Sequence, residues 1–438
     1  MKSSKKLLFF LIAFSFANII FSQNEDSLTF HKKMEWFKDA KLGIFIHWGI
    51  YSVKGIDESW SFFNEYLSHE AYMKQLEGFN AIHYAPQKWA ELIKKSGAKY
   101  SVITSKHHDG VALWNTKMND LSTFKKTPAK QDVLSPFVAA LKKEKLKVGI
   151  YYSLIDWSHP EYPNFTKTQK RYKTDSIKWL KFKQFFQGQL SELSEQYNPD
   201  LWWFDGDWEF SAEKWEAQKV RKMLLNKNPN TILNSRLKGY GDYATPEQGL
   251  PLTKPKSKYW ELCMTMNDSW GYQHNDHNYK TPYEVIRIFA DVIGNGGNLL
   301  LNIGPKADGT IPSEQIHILN ELGKWTKKHE EAIFGSRTGI PKDYFLGTST
   351  LSKNGEILYL FLPGKPNGQI MLKGIKNKIN RIRIVGDGTK LSHKVTLHQY
   401  WSTKPGVVFI DVPESVVDEY MTVIAVQLKG KIDLGSRE

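Results

Sequence analysis

The chain has 438 residues, of which 41% are hydrophobic and 24% charged, and its formal net charge is +14. This is an ordinary globular composition, long enough for one large core and a second, smaller module. The single cysteine, Cys263, excludes an intrachain disulfide and a cysteine-based metal cluster. A net positive charge favours binding to acidic partners such as nucleic acid or anionic polysaccharide. No concentrated run of lysine and arginine is present, however, so we expect a solvated lysine-rich surface and no nucleic-acid partner.

The first 22 residues have the pattern of a secretory signal peptide. Lys2, Lys5 and Lys6 precede an apolar run that closes at the small residue Ser22. The run is shorter than the roughly 20 residues that a membrane-spanning helix needs, and no stop-transfer flank follows it. We therefore expect export to the periplasm or the exterior, cleavage near Ser22, and no stable membrane insertion.

Between residues 23 and 338, the sequence repeats an amphipathic helix, a short turn and an apolar strand. Pro86 and Gly97 mark the start and end of one helix, and Ser135 is the predicted N-cap of the next. A long helix is predicted over residues 175–197, and another begins after Thr281. The predicted strands, in chain order, cover residues 43–49, 100–103, 148–152, 201–204, 231–236, 259–266 and 298–304.

The predicted strands are continuously apolar rather than alternating, which is typical of parallel strands covered on both faces. Seven or eight such strands with interspersed helices predict an α/β fold, a (β/α)8-like (TIM-type) barrel over residues 23–338. A doubly wound open sheet is the lesser alternative. In a barrel the reactive residues lie at the C-terminal ends of the strands. Those ends read HWG, KHHDG, YYSL, FDGD, NSR and WE.

Residues 339–438 have a different pattern. Helix signals are nearly absent, and short strand-like runs are separated by glycine, proline and asparagine turns. The runs are EILYLFLP, GQIMLKG, NRIRIVG, VVFIDVP and MTVIAVQLKG. They predict a C-terminal all-β sandwich.

The stretch NPDLWWFDGDWEF, residues 198–210, places four carboxylates among three tryptophans. Burying an ionised carboxylate without a partner is costly, so the placement indicates a function. The apolar strand ends at Asp205, and Gly206 permits a sharp turn, which puts Asp205 at the barrel mouth. Tryptophan-lined pockets with a few carboxylates are typical of sugar sites, because an indole packs against the C–H face of a pyranose. The alternative is that these acids cap a following helix.

The run KHHDG raises a metal hypothesis, because His107, His108 and Asp109 are all possible ligands. Adjacent side chains on an extended strand point to opposite faces, and no H-x-H or H-x-x-x-H spacing supports a shared ion. Hydrogen bonding to a substrate is therefore favoured, with structural histidines as a second possibility. We expect no metal site.

Six motifs, in order, resemble those of the α-L-fucosidases of glycoside hydrolase family 29. They are KLGIFIHWGIYSV, KHHDGVALW, GIYYSLIDW, LWWFDGDWE, SWGY and LLLNIGPKADGTIP. The resemblance implies a barrel with a C-terminal sandwich and an exo-acting, retaining hydrolase. Such an enzyme removes terminal α-L-fucose from fucosylated oligosaccharides or polysaccharides through a covalent fucosyl-enzyme, and it needs no metal or organic cofactor.

The resemblance also assigns catalytic residues. The nucleophile of the family falls on Asp205. For the acid/base, Glu247 is favoured, because it lies next to Pro246 on a loop after the strand that ends at Arg236. Glu261, inside an apolar strand, and Asp242, earlier on the same loop, are the competing candidates.

The fucose contacts implied by the resemblance are polar side chains for the ring hydroxyls and aromatic side chains around the ring and its methyl group. They fall on His47, His107, His108, Tyr152, Trp203, Arg236 and Trp270. The family's E-W pair reads Glu58-Ser59-Trp60 in this chain, so Glu58 and Trp60 are weaker candidates.

Two other functions are compatible with these residues. One is a catalytically inactive fucose-binding protein on the same fold, and the other is a metal-dependent hydrolase that uses His107, His108 and Asp109. The sequence leaves open the glycosidic linkage, whether the glycan is sulfated, and the oligomeric state.

Overall fold

The computed structural model describes residues 29–251, 253, 255–398, 400–401 and 405–435. The predicted signal peptide, residues 1–22, lies outside them. Seven strands form the main sheet: β1 Leu42–Ile46, β2 Tyr100–Lys106, β3 Lys147–Ser153, β4 Leu201–Asp205, β5 Ile232–Leu233, β6 Glu261–Thr265 and β7 Asn298–Ile303. All neighbours are parallel, in the order β5-β4-β3-β2-β1-β7-β6. This parallel sheet confirms the α/β barrel class.

Residues 243–247 close the barrel between its two edge strands. Tyr243 forms a parallel bridge with Asn234, just after β5, while Ala244 and Glu247 bridge to the β6 side. Pro246 has no N–H to donate, so the segment cannot form a continuous ladder. The eighth βα unit expected of the barrel is therefore reduced to this irregular segment.

Helices pack around the barrel. They are α1 at residues 29–40, α2 Trp60–Phe63, α3 His69–Met73, α4 Pro86–Lys95, α5 Thr123–Lys126, α6 Leu134–Lys143, α7 Ser176–Tyr197, α8 Ala212–Trp215, α9 Ala217–Lys227, α10 Pro282–Gly294, α11 Ser313–Lys328 and α12 Glu330–Ile333. Among the described residues, none of these helices is long and apolar enough to cross a membrane.

The helix starts follow from local capping. The hydroxyl of Thr281 accepts from the backbone N–H of Glu284, whose carboxylate accepts from the backbone N–H of Thr281, and this capping box begins α10. The N-cap predicted at Ser135 is wrong. Helix α6 begins one residue earlier, and Asp132 accepts hydrogen bonds from the N–H groups of Leu134 and Ser135.

The barrel interior is filled by large side chains from the inward faces of the strands. Phe45, Tyr100, Tyr151 and Trp203 belong to one buried cluster there, together with Met34 and Phe37 of α1. Helix α1 thus contributes apolar side chains to the interior of the barrel. These aromatic residues form the floor beneath the strand ends.

The C-terminal part forms two antiparallel sheets. Their strands are β8 Arg337–Thr338, β9 Thr348–Leu351, β10 Ile357–Pro363, β11 Ile370–Leu372, β12 Ile379–Ile384, β13 His393–Thr396, β14 Val407–Ile410 and β15 Met421–Leu428. The five-stranded sheet has the order β12-β15-β10-β9-β8, and the other has the order β11-β14-β13. Leu358 and Leu360 pack with Val408 and Ile410 in one core, so the two sheets form the predicted sandwich.

The five-stranded sheet is covered on both faces. Residues of β10 alternate, because Leu358 and Leu360 face the sandwich core while Tyr359 and Phe361 pack into the main barrel core. The indole N–H of Trp325 on α11 donates a 2.9 Å hydrogen bond to the carbonyl of Met421. Strand β8 begins at Arg337, close to the boundary predicted after residue 338, and the boundary itself stays a prediction.

Asp242 fixes the start of the closing segment, which gives a test of its structural role. Its buried carboxylate lies 3.0 Å from Lys33 Nζ and 2.6 Å from Arg221 Nη2, and it accepts from the backbone N–H of Leu233. Asp242→Asn leaves these cations without a counter-charge, and we expect the free energy of unfolding to fall by about 3 kcal/mol. Urea unfolding at neutral pH measures the change.

Asp120→Asn is the matched control, because the exposed Asp120–Lys125 pair contributes little in water. We expect its urea midpoint to equal that of the wild type. Equal midpoints for all three proteins would contradict the role given to Asp242.

Candidate active site

A cavity of about 210 Å³ opens at the carboxyl ends of the main-sheet strands. Parallel strands bring the residues that follow them to one end of a barrel. The volume is below the roughly 300 to 1,000 Å³ of pockets for drug-sized ligands, so the cavity suits one small ring. Its lining is Phe45, His47, Glu58, Trp60, His107, His108, Tyr151, Trp203, Asp205, Trp208, Arg236, Glu247 and Trp270. Every predicted site residue except Tyr152 is among them.

Asp205 is the last residue of β4, and the chain turns away after it because Gly206 adopts a φ of 81°. The Tyr151 hydroxyl donates a 3.0 Å hydrogen bond to its Oδ2, and Arg236 Nη1 donates a 3.1 Å hydrogen bond to its Oδ1. Burial by itself would raise the pKa of Asp205, but the charge of the Arg236 guanidinium and these hydrogen bonds outweigh burial and lower it. Asp205 is therefore ionised at neutral pH, as a carboxylate nucleophile must be.

Arg236 links Asp205 to a second carboxyl group. Its Nη2 donates a 2.6 Å hydrogen bond to Glu247 Oε2, and its guanidinium lies 4.6 Å from the centre of the Trp203 ring. The Glu247 side chain is 39% exposed, whereas that of Asp205 is 12% exposed. Since Glu247 belongs to the closing segment, the same segment that completes the barrel brings the second acid to the cavity.

The two other candidates for the acid/base, Glu261 and Asp242, do not line the cavity. Glu261 is fully buried in the barrel interior, where Tyr100 and the Trp203 indole donate hydrogen bonds to its carboxyl at 2.5 and 3.0 Å. Burial raises the pKa of Glu261 to about 7. Asp242 is bound to cations on α1 and α9. Among the three candidates, the geometry favours Glu247 as the acid/base.

Three histidines line the cavity, and the Nδ1 atom of each contacts a side chain of the surrounding wall. The contacts are His47 with Asn302 Oδ1 at 2.7 Å, His107 with Ser59 Oγ at 2.6 Å, and His108 with Ser153 Oγ at 2.6 Å. Burial lowers the pKa of His47 and His108 to about 4 and lowers that of His107 well below its usual value. All three rings are therefore neutral at pH 7.

His107 and His108 both reach the cavity although they are adjacent in sequence. The register of β2 against β3 shifts between Thr104 and Lys106, and the strand ends before the histidines. Asp109 turns away, and its carboxylate accepts a 2.6 Å hydrogen bond from Tyr72. In the part of the chain that the structure describes, no group of three or more His, Cys, Asp or Glu residues is placed to hold a metal ion.

Glu58 and Trp60, the two weaker candidates for fucose contacts, both line the cavity. Glu58 Oε1 accepts a 2.5 Å hydrogen bond from the backbone N–H of Gly271, and burial raises the pKa of Glu58 to about 7. Ser59 is fully buried and contacts His107. The inserted serine thus supports a cavity histidine and does not displace its neighbours.

The prediction of Tyr152 as a contact is wrong, and Tyr151 takes that place. Tyr151 pairs in register with Trp203, and their rings stack inside the barrel at 5.7 Å. Tyr152 points outward, where its hydroxyl donates to Gln189 on α7. Side chains alternate along a strand, so the two tyrosines face opposite sides of β3, but only the register of β3 against β4 shows that Tyr151 is the one on the side of Asp205. The same alternation from His47 identifies Phe45, which was also missed.

Trp208 is the third lining residue that was missed, after Tyr151 and Phe45, and its turn is held by the neighbouring acids. Glu209 accepts hydrogen bonds from Trp157, Tyr162 and Asn164, and Asp207 accepts from the backbone N–H of Lys238. The Trp208 indole stacks against Trp60 at 6.2 Å. These acids therefore shape the rim, and among the carboxylates of residues 198–210 the cavity is lined by Asp205 alone.

Comparison with known proteins agrees with this geometry. A family model described as Alpha-L-fucosidase matches residues 12–331. Tissue alpha-L-fucosidase of Mus musculus is 31% identical over 407 residues, which cover 84% of this chain and 87% of the mouse protein. The structure of alpha-L-fucosidase isoenzyme 1 from Paenibacillus thiaminolyticus is 31% identical, with a TM-score of 0.83, covering 92% of this chain and all of that chain.

A GH29 alpha-L-fucosidase from Bacteroides thetaiotaomicron is also similar in structure. It is 28% identical, with a TM-score of 0.80, and the match covers 91% of this chain and 96% of that chain. That structure holds a trapped covalent intermediate formed in complex with 2-fluoro-fucosyl fluoride.

The adjacent tyrosines give a matched test of the cavity. Tyr151→Phe removes a donor from ionised Asp205, and hydrogen bonds to charged groups contribute about 1.5 to 3 kcal/mol. We expect kcat/KM for an aryl α-L-fucoside to fall roughly 10-fold or more. Because the lost bond favours the ionised carboxylate, the pKa of Asp205 rises and the acidic limb of the kcat/KM profile moves to higher pH.

Tyr152→Phe is the control, since it loses only the hydrogen bond to Gln189. We expect it to keep the wild-type profile. If Tyr152→Phe loses more activity than Tyr151→Phe, the assignment of the two faces of β3 is reversed.

Proposed function

The chain belongs to the α-L-fucosidases of glycoside hydrolase family 29, and on this premise we propose that Asp205 and Glu247 hydrolyse terminal α-L-fucose in two displacement steps. The protein is a retaining glycoside hydrolase. The observation that carries the assignment is the Arg236 guanidinium, which contacts both Asp205 and Glu247 at the edge of one small cavity.

In the first step, an oxygen of Asp205 attacks the anomeric carbon of fucose, and the bond from that carbon to the leaving oxygen breaks. Glu247 donates its proton to the leaving oxygen, so the aglycone departs as a neutral alcohol. Asp205 is ready for this step because Arg236 and Tyr151 stabilise its ionised form. Glu247 is the more exposed of the two acids, which suits contact with an aglycone that extends into solvent.

In the second step, Glu247 is a carboxylate and takes a proton from water. The water oxygen bonds to the anomeric carbon and displaces Asp205, which returns to its ionised form. Two inversions restore the original configuration. Negative charge passes from Asp205 to Glu247 in the first step and back in the second, and Arg236 contacts both carboxyl groups.

The cavity walls support fucose as the ring that binds. Polar atoms of the three histidines, Glu58 and Arg236 are available to hydroxyl groups, while Trp203, Trp270 and Phe45 provide apolar surface for the ring and its methyl group. The substrate is a fucosylated oligosaccharide or polysaccharide, from which the enzyme removes one terminal residue at a time.

The proposal extends to the location of the enzyme. The basic and apolar pattern of residues 1–22 supports export, with cleavage after Ser22 and a mature protein in the periplasm or outside the cell. Expression with the leader should give an extracytoplasmic protein whose N-terminal residue is Gln23 by mass spectrometry. An intact N-terminus on a cytoplasmic protein would contradict export and leave the catalytic proposal untouched.

Asp205→Gly removes the nucleophile and tests its role. We expect the rate of aryl α-L-fucoside hydrolysis to fall by roughly 10⁴-fold or more, with an unchanged circular dichroism spectrum. Azide added with an activated aryl α-L-fucoside should form β-L-fucosyl azide, because azide occupies the space vacated by Asp205 and displaces the leaving group in a single inverting step. Near wild-type hydrolysis by this variant would exclude Asp205.

Glu247→Ala and Glu261→Ala are compared to identify the acid/base. We expect Glu247→Ala to retain activity on aryl fucosides with good leaving groups, which need no protonation, and to be rescued by azide. The rescued product should be α-L-fucosyl azide, since azide takes the place of water in the second displacement. Rescue confined to Glu261→Ala would transfer the role to Glu261.

A further inference from the structure

The ionisable groups of the cavity carry little positive charge. Its lining contains one guanidinium, that of Arg236, and three carboxyl groups, those of Glu58, Asp205 and Glu247. The three lining histidines are neutral at pH 7, because burial lowers the pKa of each. Lys106 directly precedes the lining residue His107, but its side chain is fully buried and its Nζ lies 3.4 Å from Asp156 Oδ2.

Arg236 is already committed to protein partners on each of its nitrogen atoms. Nη1 donates to Asp205 at 3.1 Å, Nη2 to Glu247 at 2.6 Å, and Nε to the Thr245 hydroxyl at 3.1 Å. A bidentate guanidinium contact is the usual way to bind a sulfate or phosphate group. Three of the five N–H donors of Arg236 are already in use, so such a contact would compete with the bonds that hold Asp205 and Glu247.

The hydrogen-bond network fixes the proton position on His108. Ser153 has one hydroxyl proton, and the carbonyl of Ile155, 2.7 Å from Ser153 Oγ, can only accept it. His108 Nδ1, 2.6 Å from the same oxygen, must therefore be the donor. A neutral imidazole has a single N–H, so Nε2 holds a lone pair. This Nε2 lies 3.7 Å from Asp205 Oδ2, so two acceptors face each other and a ligand has to supply the donor.

His47 is fixed in the same way. The Asn302 amide nitrogen donates a 2.7 Å hydrogen bond to the carbonyl of Trp270, which sets the orientation of the amide. Asn302 Oδ1 then faces His47 Nδ1 at 2.7 Å and accepts its proton. His47 Nε2 is consequently the nitrogen that can contact a ligand, and it too is an acceptor.

We propose that the cavity binds only a fucosyl residue with unsubstituted hydroxyl groups, and that it rejects terminal fucose carrying a sulfate ester. The proposal rests on the proposed function of the same site. A hydroxyl group supplies the O–H that His47 and His108 require, whereas a sulfate ester presents only acceptor oxygens and a negative charge. The basic charge of the whole chain therefore does not indicate sulfated fucose at the reacting position.

The expected loss of kcat/KM on sulfated fucosides follows from the hydrogen-bond acceptors of His47 and His108, which such a substrate would leave unpaired. A site built to hydrogen-bond a hydroxyl group rejects an analogue without it by roughly 10⁴-fold or more when the site's polar groups are left unpaired. Allowing for rearrangement at the cavity mouth, we expect kcat/KM to fall about 100-fold or more for each sulfated position.

The test uses the wild-type enzyme and aryl α-L-fucosides that are unsubstituted or carry sulfate at O2, O3 or O4. The expected result is hydrolysis of the unsubstituted fucoside and a loss of about 100-fold or more for all three sulfates. Hydrolysis of any sulfated fucoside within tenfold of the parent overturns this inference alone. If the unsubstituted fucoside is not hydrolysed, the proposed function fails and this inference falls with it.

Uncharged analogues separate the acceptor argument from simple charge repulsion. Free L-fucose and its 2-, 3- and 4-deoxyfluoro analogues are compared as competitive inhibitors, because fluorine is small and cannot donate a hydrogen bond. At least one analogue should have an inhibition constant about tenfold or more above that of fucose. If all three bind within threefold of fucose, the acceptor role of His47 and His108 is overturned.

The proton positions are measured directly by long-range ¹H–¹⁵N spectra of the wild-type protein. Signals are assigned by their absence in His47→Asn and His108→Asn. At pH 7 both rings should be neutral and protonated on Nδ1. A proton on Nε2 of either ring overturns the argument for that residue.

Discussion

An ionised carboxylate at a largely buried position is the constraint on which the rest of this site depends. Asp205 is buried enough that desolvation alone would favour its protonated form, yet a nucleophile has to be charged. Arg236 resolves the conflict by pairing with Asp205, and Tyr151 adds a hydrogen bond to the other carboxylate oxygen. Because Arg236 also binds Glu247, the same cation connects Asp205 with the proposed acid/base, whose charge would change during each step.

The fold makes this arrangement possible by bringing distant parts of the chain to one barrel end. Asp205 ends a regular strand, whereas Glu247 lies on the irregular segment that bridges the two edge strands. Pro246 keeps this segment from becoming a full strand, and Asp242 ties its start to cations on two helices. Glu247, the proposed acid/base, thus lies on the least regular part of the barrel wall, where the chain can follow a path suited to the cavity.

The wall behind the catalytic residues determines what the cavity presents to a ligand. Asn302 and Ser153 each take a proton from a histidine Nδ1, and this leaves acceptor nitrogens toward the cavity. The lysines that give the chain its basic character are absent from the lining. Recognition in this site consequently depends on hydroxyl donors and apolar ring surface, while the net charge is a property of the outer surface.

The sequence by itself determined the barrel class, the β-sandwich that follows it and most of the cavity wall, and the family resemblance predicted Asp205 as the nucleophile. Continuous apolar strands indicate parallel sheets, and Asp205 is identified where its strand gives way to Gly206. Only the tertiary structure decided which of two adjacent tyrosines faces Asp205, because that depends on the register between β3 and β4. It also placed both histidines of KHHDG in the cavity, through a register shift that no local pattern predicts. The sequence already favoured Glu247 over Glu261, and the structure adds support because Glu261 is buried in the barrel interior, which is formed by strands that are far apart in sequence.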